Sequence, residues 1–449
     1  MTCSTLTVHR PGDPGYDAAC LGFQSHRPQR PAAVVAARTP ADVVAAVERA
    51  RAQGLRVAVQ ATGHGVGAVD PDAVLVDTSG MRGVIVDPRA RTATVAAGTR
   101  WGEVITAAAP HGLAPLSGSS PDVGVVGYLL AGGQPILGRR FGWAAAGARS
   151  FEVVTAGGEQ RHVPASDDGL GWALRGGGGS FALVTAATVE LVPLRSVFGG
   201  QLVLPADDVP GTLRCWRDWA SDIGEGTATS LAVVPFPDAP AVPAPLRGRT
   251  AVAVRLAHTG DGGERMADEL RALGTPLLAD LGELAWTDSA RIHRDPPGPA
   301  PSVGTTVGLA TLTDAVLDAA VDTLAGAPVR RVVELRRLGG ALGRPSGLPI
   351  RSGLEWQAGT VSIVPGEGDA EVATALDARF RAAVDGLGRV PNFLFGEGAD
   401  PAAVRDAYPE ADWARLRAVK AAEDPDDVIA AAAPIPPAPA RGAGPAARA

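Results

Sequence analysis

Residues 31–67 read PAAVVAARTPADVVAAVERARAQGLRVAVQATGHGVG, and the order of elements in this stretch decides the fold. PAAVVAART has the β-branched, apolar character of a strand. Thr39-Pro40-Ala41-Asp42 then opens a helix: Thr39 can cap it, Pro40 suits its first turn, and Asp42 favours the positive end of its dipole. Val43, Val44 and Val47 give that helix an apolar face, and Gly54 stops it. Leu55 to Thr62 reads as a buried strand, so the chain opens strand–helix–strand, as α/β and α+β folds do. The strand runs into Gln60-Ala61-Thr62-Gly63-His64-Gly65-Val66-Gly67, a glycine-rich turn that presents one histidine. Glycines let successive amides converge on an anion; the plainer reading is a tight turn with an exposed histidine. Gly63, Gly65 and Ala68 have the spacing of a dinucleotide fingerprint, but that motif needs a helix directly after the turn. Val69-Asp70-Pro71-Asp72 and then a strand follow instead, which rules it out.

Further along, short strands are expected at 73–79, 83–88 and 92–98, with Asp-Pro and Gly marking turns. A helix begins near Trp101 and ends by Pro110-His111-Gly112. A long small-residue segment then runs from Ser117 to Gly142. Its glycines Gly118, Gly124, Gly127, Gly132 and Gly133 recur where a flat or phosphorylated ligand would touch backbone, and loops of this length are more often functional than merely connecting. Residues 150–159 read as a hairpin. Arg175 and the run Gly176 to Gly179 precede an apolar strand, which points to close backbone approach, to a ligand or to another strand. From about 200 to 388 strands alternate with helices, one sheet backed by helices, interrupted by a Pro/Gly-rich loop from Asp295 to Gly304. Trp216 and Trp219 fall at helical spacing and read as core or domain interface. Arg336-Arg337 reads either as solvating a strand end or as meeting an acidic ligand group. Another helix falls near Trp413 to Ala422, followed by an acidic cluster, Glu423 to Asp427, that reads as a solvated turn.

Composition excludes several classes of function. The chain has 449 residues, enough for two or three domains, with 41 basic and 48 acidic side chains and a formal charge of -7. A nucleic-acid binder would show a basic excess or stripe, and neither is present. Three scattered cysteines, Cys3, Cys20 and Cys215, argue against a disulfide framework and a zinc site. The seven histidines show no metal-ligand spacing, so no metal is expected. No stretch reaches the roughly 18 uninterrupted apolar residues of a membrane span. Residues 1–10 contain no apolar signal region, so the expected location is cytoplasmic.

Taken in order, these motifs resemble the berberine bridge enzyme-like flavoproteins, a branch of the vanillyl-alcohol oxidase superfamily. The resemblance rests on Thr39-Pro40-Ala41-Asp42-Val43 with Gly54; on Thr62-Gly63-His64-Gly65; on Gly118, Pro121, Val123-Gly124-Val125, Gly127 and Gly132-Gly133; and on WALRGGGGSFALVT from Trp172. Near the end it rests on Pro391-Asn392-Phe393, Arg415-Leu416, Lys420 and Asp424-Pro425-Asp426. It implies an α+β fold of two lobes, a PCMH-type FAD-binding domain and a separate α/β substrate domain whose sheet is backed by helices. The division expected is an irregular segment 1–30, the FAD-binding domain 31–198, the substrate domain 199–388, a segment 389–433 returning to the FAD domain, and a disordered tail 434–449.

By the same resemblance, FAD would contact Gln60, Thr62, Gly63, His64, Gly65, Val66, Ser117, Gly118, Ser119, Ser120, Val123, Gly124, Gly127, Gly133, Val184 and Asn392. His64 would bond covalently to the flavin 8α methyl. Many relatives carry a cysteine that makes a second flavin bond; Ser120 stands there, so one link is expected. The terminal tyrosine that relatives use as a base is Phe393, which takes no proton. The remaining catalytic candidates are Tyr128, where relatives often have a flavin-adjacent histidine, and Glu355 and Gln357, placed on one strand face by alternation. The implied activity is hydride transfer from a small organic, natural-product-like substrate to flavin, with molecular oxygen or another acceptor closing the cycle. A redox-neutral cyclase and a flavin-binding protein without activity are the alternatives.

Overall fold

The computed structural model describes residues 6–27, 29–65, 69, 71–394 and 400–439. Its strands form three sheets. The first holds β1 (Thr7–His9), β2 (Ala33–Ala36), β3 (Arg56–Gln60) and β4 (Ala73–Asp77) in the order β1-β2-β4-β3. β2, β4 and β3 run parallel, and β1 adds antiparallel at the edge. The helix Pro40–Ala52 makes the crossover. Thr39 and Asp42 form a reciprocal capping box, with the Asp42 amide donating to Thr39 Oγ1 (3.3 Å) and the Thr39 amide to Asp42 Oδ2 (2.9 Å). Gly54, at φ 64°, ends the helix in the left-handed region, where a side chain would be strained. Val43, Val47 and Ala50 are fully buried against Val35, Val57 and Val76.

The N-terminal segment is not irregular. β1 pairs with β2, the helix Tyr16–Ala19 follows, and the buried Tyr16 donates to the Pro31 carbonyl (2.6 Å). These elements are three and four residues long, too short for periodicity to reveal.

The second sheet holds β5 (Val84–Asp87), β6 (Thr92–Ala96), β7 (Leu113–Pro115), β8 (Ala148–Val154), β9 (Gln160–Pro164) and β10 (Leu183–Pro193). Its order is β5-β6-β10-β8-β9, with β7 on the far end of β10. Trp101, Phe151 and Phe181 fill its core, together with Tyr408, Leu416 and Ile435 from the end of the chain. The helices Pro401–Asp406 and Glu410–Glu423 thus pack on the first lobe. Residues 428–430 bridge to β3: the Val57 amide donates to Val428 O, and the Ala430 amide to Val57 O, both at 2.8 Å.

Two sequence expectations fail in this segment. Ile435 is 1% exposed and its amide donates to Ser180 Oγ (3.0 Å), so order extends past residue 433; residues 440–449 lie outside the described set. The cluster at 423–427 is not wholly a solvated turn, because Asp424 is fully buried against Lys420, the only lysine in the chain.

The third sheet holds β11 (Ser196–Pro205), β12 (Thr227–Pro235), β13 (Thr250–His258), β14 (Leu278–Ala285), β15 (Ser302–Leu309), β16 (Arg330–Arg337) and β17 (Trp356–Ile363). It is antiparallel throughout, ordered β14-β11-β13-β12-β16-β17-β15. One face packs on helices through Leu231, Val254, Leu335, Trp216 and Trp356. The other meets the first lobe, where Val197 and Ala257 join Ile105, Ala114 and Leu137. β15 begins at Ser302, so the Pro/Gly loop is shorter than expected. Gly304 belongs to the strand, opposite Val361 of β17, and a Cβ there would come 2.2 Å from the Thr360 carbonyl. Among the described residues no helix is long and apolar enough to cross a membrane.

Candidate functional site

Parallel pairing ends at Gln60, and the chain turns at Thr62-Gly63-His64-Gly65. Gly63 has φ 72°, and a Cβ there would lie 2.5 Å from the Gly22 Cα. The N-terminal segment is the wall it meets: the Phe23 amide donates to Thr62 O and the Gln24 amide to Gly63 O, each at 3.0 Å. Phe23 also stacks on the His64 ring, with centroids 3.9 Å apart and planes 14° apart. Gln60 is buried and tied to its own protein, its side-chain amide donating to Leu21 O (2.9 Å) and its carbonyl accepting from Gln29.

His64 Nδ1 is hydrogen-bonded to Thr62 Oγ1 (2.9 Å), while Nε2 is buried without a partner. Burial pushes the imidazole down to about 4, with Asp122 pulling it up and Arg100 pushing it further down. The ring is therefore neutral near pH 7. The unfolded chain protonates this histidine near its ordinary value of ~6.5, before the folded chain does. Its contribution to stability is thus whole above that value and lost as pH falls towards about 4. The flavin-free protein is expected to lose more stability between pH 7.5 and pH 5 than its His64→Ala variant, read as the shift in urea midpoint.

The Ser117–Gly124 loop lies against this turn. The Gly124 amide donates to Thr62 Oγ1 (3.3 Å), and Arg100 pairs with Asp122 (3.0 Å). Val123 O accepts from the Trp101 amide (3.0 Å), fixing the loop on the first turn of the helix Trp101–Ala108. Ser120 Oγ accepts from the Asp122 amide (3.3 Å), and Ser119 Oγ donates to Asp295. The amides of Gly118, Ser119 and Ser120 have no acceptor among the described residues, and Ser117 Oγ is buried and unpartnered. Gly127, on the helix Val125–Leu130, is exposed with nothing near its Cβ direction, as is Gly65. Tyr128 fills the space beside Gly118 and Gly133; at Gly133, φ 67°, a Cβ would lie 2.6 Å from the ring. Free amides, an unpartnered imidazole nitrogen and side-chain-free glycines fit a dinucleotide with a diphosphate and a flat ring system.

Facing this loop is the lobe-side surface of the third sheet. Tyr128 is 7% exposed, its hydroxyl is unpartnered, and burial raises its pKa well above the ordinary range, with Arg336 pulling it down. Gln357 is buried on β17 directly opposite Arg336, with Oε1 unpartnered. Glu355 goes elsewhere. It precedes β17 and pairs with Arg337 (2.6 Å), whose guanidinium lies over the Trp356 ring at 4.8 Å and donates to Ala220 O (3.1 Å). Strand alternation placed Glu355 with Gln357, but Glu355 lies just before β17 and its side chain turns to Arg337 instead. Nor does Arg336 solvate a strand end: it is held by Glu334 (2.8 Å) and lies 5.2 Å from the Phe393 ring centroid. Asn392 Oδ1 accepts from the Gln134 amide (3.1 Å), and Val184 is buried in β10 opposite Val153. Val66 lies outside the described residues.

Sequence reasoning missed His293 and Arg255. His293, in the short helix Ala290–His293, is 9% exposed with Nδ1 unpartnered; burial, then Arg255 and Arg336, hold it well below its ordinary pKa. Arg255 is the one charge inside the apolar strand β13, and that was the available signal. Arg139 is a clamp: buried, it donates to the carbonyls of Thr227 (2.8 Å), Ile223 (2.9 Å) and Leu338.

Residues 31–164 match the model of an FAD binding domain. The chain is 27% identical over 296 residues to (R)-6-hydroxynicotine oxidase of Paenarthrobacter nicotinovorans, covering 64% of this chain and 62% of that protein. The alignments with two further curated relatives span 44% and 47% of those proteins' own length. The crystal structure of 6-hydroxy-D-nicotine oxidase from Arthrobacter nicotinovorans superposes with a TM-score of 0.82 at 22% identity, covering 96% of this chain and 98% of that one. Berberine bridge enzyme-like 1 of Physcomitrella patens gives a TM-score of 0.82 at 19% identity, over 96% and 97%. The chain thus carries an FAD-binding domain at residues 31–164 and shares its overall fold with berberine bridge enzyme-like 1 of Physcomitrella patens.

Proposed function

We propose that the protein is an FAD-dependent oxidoreductase that takes hydride from a C–H bond of a small organic substrate held between the two lobes. The observation that carries this reading is the Thr62–Gly124 contact, which joins the His64 turn to the 117–124 loop opposite a buried polar sheet face. The first two sheets with residues 401–435 act as the flavin lobe, and the third sheet with its helices as the substrate lobe.

The amides of Gly118, Ser119 and Ser120 hold the diphosphate. His64 Nε2, neutral and unpartnered, is the nitrogen free to bond the 8α methyl. Ser120 leaves no thiol for a second link. When bound, the flavin supplies the hydride acceptor, and oxygen is the proposed terminal oxidant. Tyr128 keeps its proton near neutral pH and donates a hydrogen bond rather than acting as base. His293, neutral and with Nδ1 free, accepts a hydrogen bond from a substrate O–H or N–H.

The test is anaerobic mixing of the purified protein with a panel of secondary alcohols, amines and hydroxylated acids. Bleaching of the flavin absorption, reversed on admitting air, is expected with at least one of them. A protein that contains no flavin and takes up none ends this reading; product formed without bleaching indicates redox-neutral cyclisation instead.

A further inference from the structure

On the lobe-facing surface of the third sheet, one row of residues lies directly opposite across five adjacent strands: Gln201, Arg255, Ser230, Arg336 and Gln357. Opposed residues in antiparallel strands share a face, so five polar side chains project in line towards the first lobe. The flanking positions are small. Ala228 sits opposite Ala257 on one side, and Ala232 opposite Ala253 on the other, leaving room above the sheet.

Charge along this row does not balance. Among the described residues Glu334 is the one carboxylate bonded to it, accepting from Arg255 (2.7 Å) and from Arg336 Nε (2.9 Å). Arg255 and Arg336 together carry one positive charge more than Glu334 can neutralise, and their side chains are only 11% and 18% exposed. Asp295, whose field also reaches Arg336, is exposed and hydrogen-bonded to Ser119. A cavity of about 40 Å³ opens beside the row; its lining includes Arg139, Arg255, Arg336 and Arg337 and no acidic side chain. Arg139 is committed to backbone carbonyls, and Arg337 to Glu355 and Ala220. Arg255 Nε, by contrast, is buried with no acceptor. A buried cation left without its counter-charge is costly, and the cost falls when an anion enters.

We infer that the Arg255–Ser230–Arg336 row and its cavity form a subsite for a carboxylate on the substrate. The subsite rests on the proposed function only in taking the bound anion to be substrate. Arg336 places Nε and Nη2 on Glu334, and Nη1 has no acceptor among the described residues. A planar carboxylate suits guanidinium donors better than a spherical anion does. Glu334 holds both arginines in place and at the same time competes with the ligand for them.

The test uses benzoate and its neutral isostere benzamide as probes, titrated calorimetrically into the purified protein, with flavin content measured on the same preparation. Benzoate is expected to bind roughly tenfold or more tightly than benzamide, as for charge-assisted hydrogen bonds. Arg336→Gln should abolish that preference. Glu334→Gln should tighten benzoate several-fold, which a purely structural role for Glu334 would not do. Equal binding of the two probes by the unmodified protein overturns the inference even if Arg336→Gln does not fold. So does a Glu334→Gln variant that folds and binds benzoate more weakly. A preparation that contains no flavin, takes up none and still prefers benzoate defeats the redox reading and leaves the subsite standing. A flavin-loaded preparation indifferent to charge does the reverse.

Discussion

His64→Ala is expected to move all of the flavin from the acid-precipitated protein into the supernatant, whereas the unmodified protein should precipitate yellow. Thr62 Oγ1 engages Nδ1, and Phe23 holds the ring plane at 14°, so Nε2 is both oriented and free. Burial keeps the ring neutral, and a neutral imidazole is the nucleophilic form. One substitution should suffice, because the neighbouring loop offers Ser120 where a second bond would need a thiol. Colour left in the supernatant by the unmodified protein would show that the flavin is not covalently held. Colour retained in the variant's precipitate would show a different point of attachment. Absorption of the two fractions after acid precipitation decides between these.

Lys420→Met should be strongly destabilising. Lys420 Nζ is wholly buried and donates to Asp424 Oδ2 (2.6 Å) and Ser180 O (2.9 Å), with Asp427 Oδ1 at 2.8 Å. Asp424 in turn accepts from the amides of Val428 (2.9 Å) and Ile429 (2.8 Å). Removing one partner of a buried pair leaves the other uncompensated, at a cost of about 3–5 kcal/mol. Thermal unfolding followed by circular dichroism should show an apparent Tm lower by roughly four degrees. Adding Asp424→Asn should recover part of the loss, since it removes the stranded charge. A single variant that melts with the unmodified protein would remove the anchoring role from Lys420.

The flavin lobe was legible where chemistry is local. Thr39, Pro40 and Asp42 mark a helix start by their own hydrogen bonds, and Gly54 marks its end by its backbone angle. Gly63 and Gly133 were legible for a related reason: each sits at positive φ with a neighbour too near for a Cβ. What stayed hidden depends on partners distant in sequence. Phe23 becomes a wall of the site only because Gly22 reaches Gly63. Arg255, Ser230 and Arg336 form a row only in the register of three strands separated by up to about a hundred residues; VAVRLAH marks Arg255 as a lone charge but carries no hint of what lies opposite it. Glu355 misled for the converse reason, since its place on an alternating pattern lies one residue outside the paired strand. The buried Ile435 was unreadable in a Pro/Ala-rich tail because its receptor, Ser180, lies 255 positions earlier.

The return of residues 428–430 to Val57 has a consequence for biosynthesis. Sheet one and the core around Phe181 are closed by residues 404–435, which are translated after the seven-stranded sheet, itself complete once Ile363 has been made. A nascent chain on the ribosome can therefore build its middle before its beginning is sealed. The edge of β3 stays open until residues 428–430 have emerged.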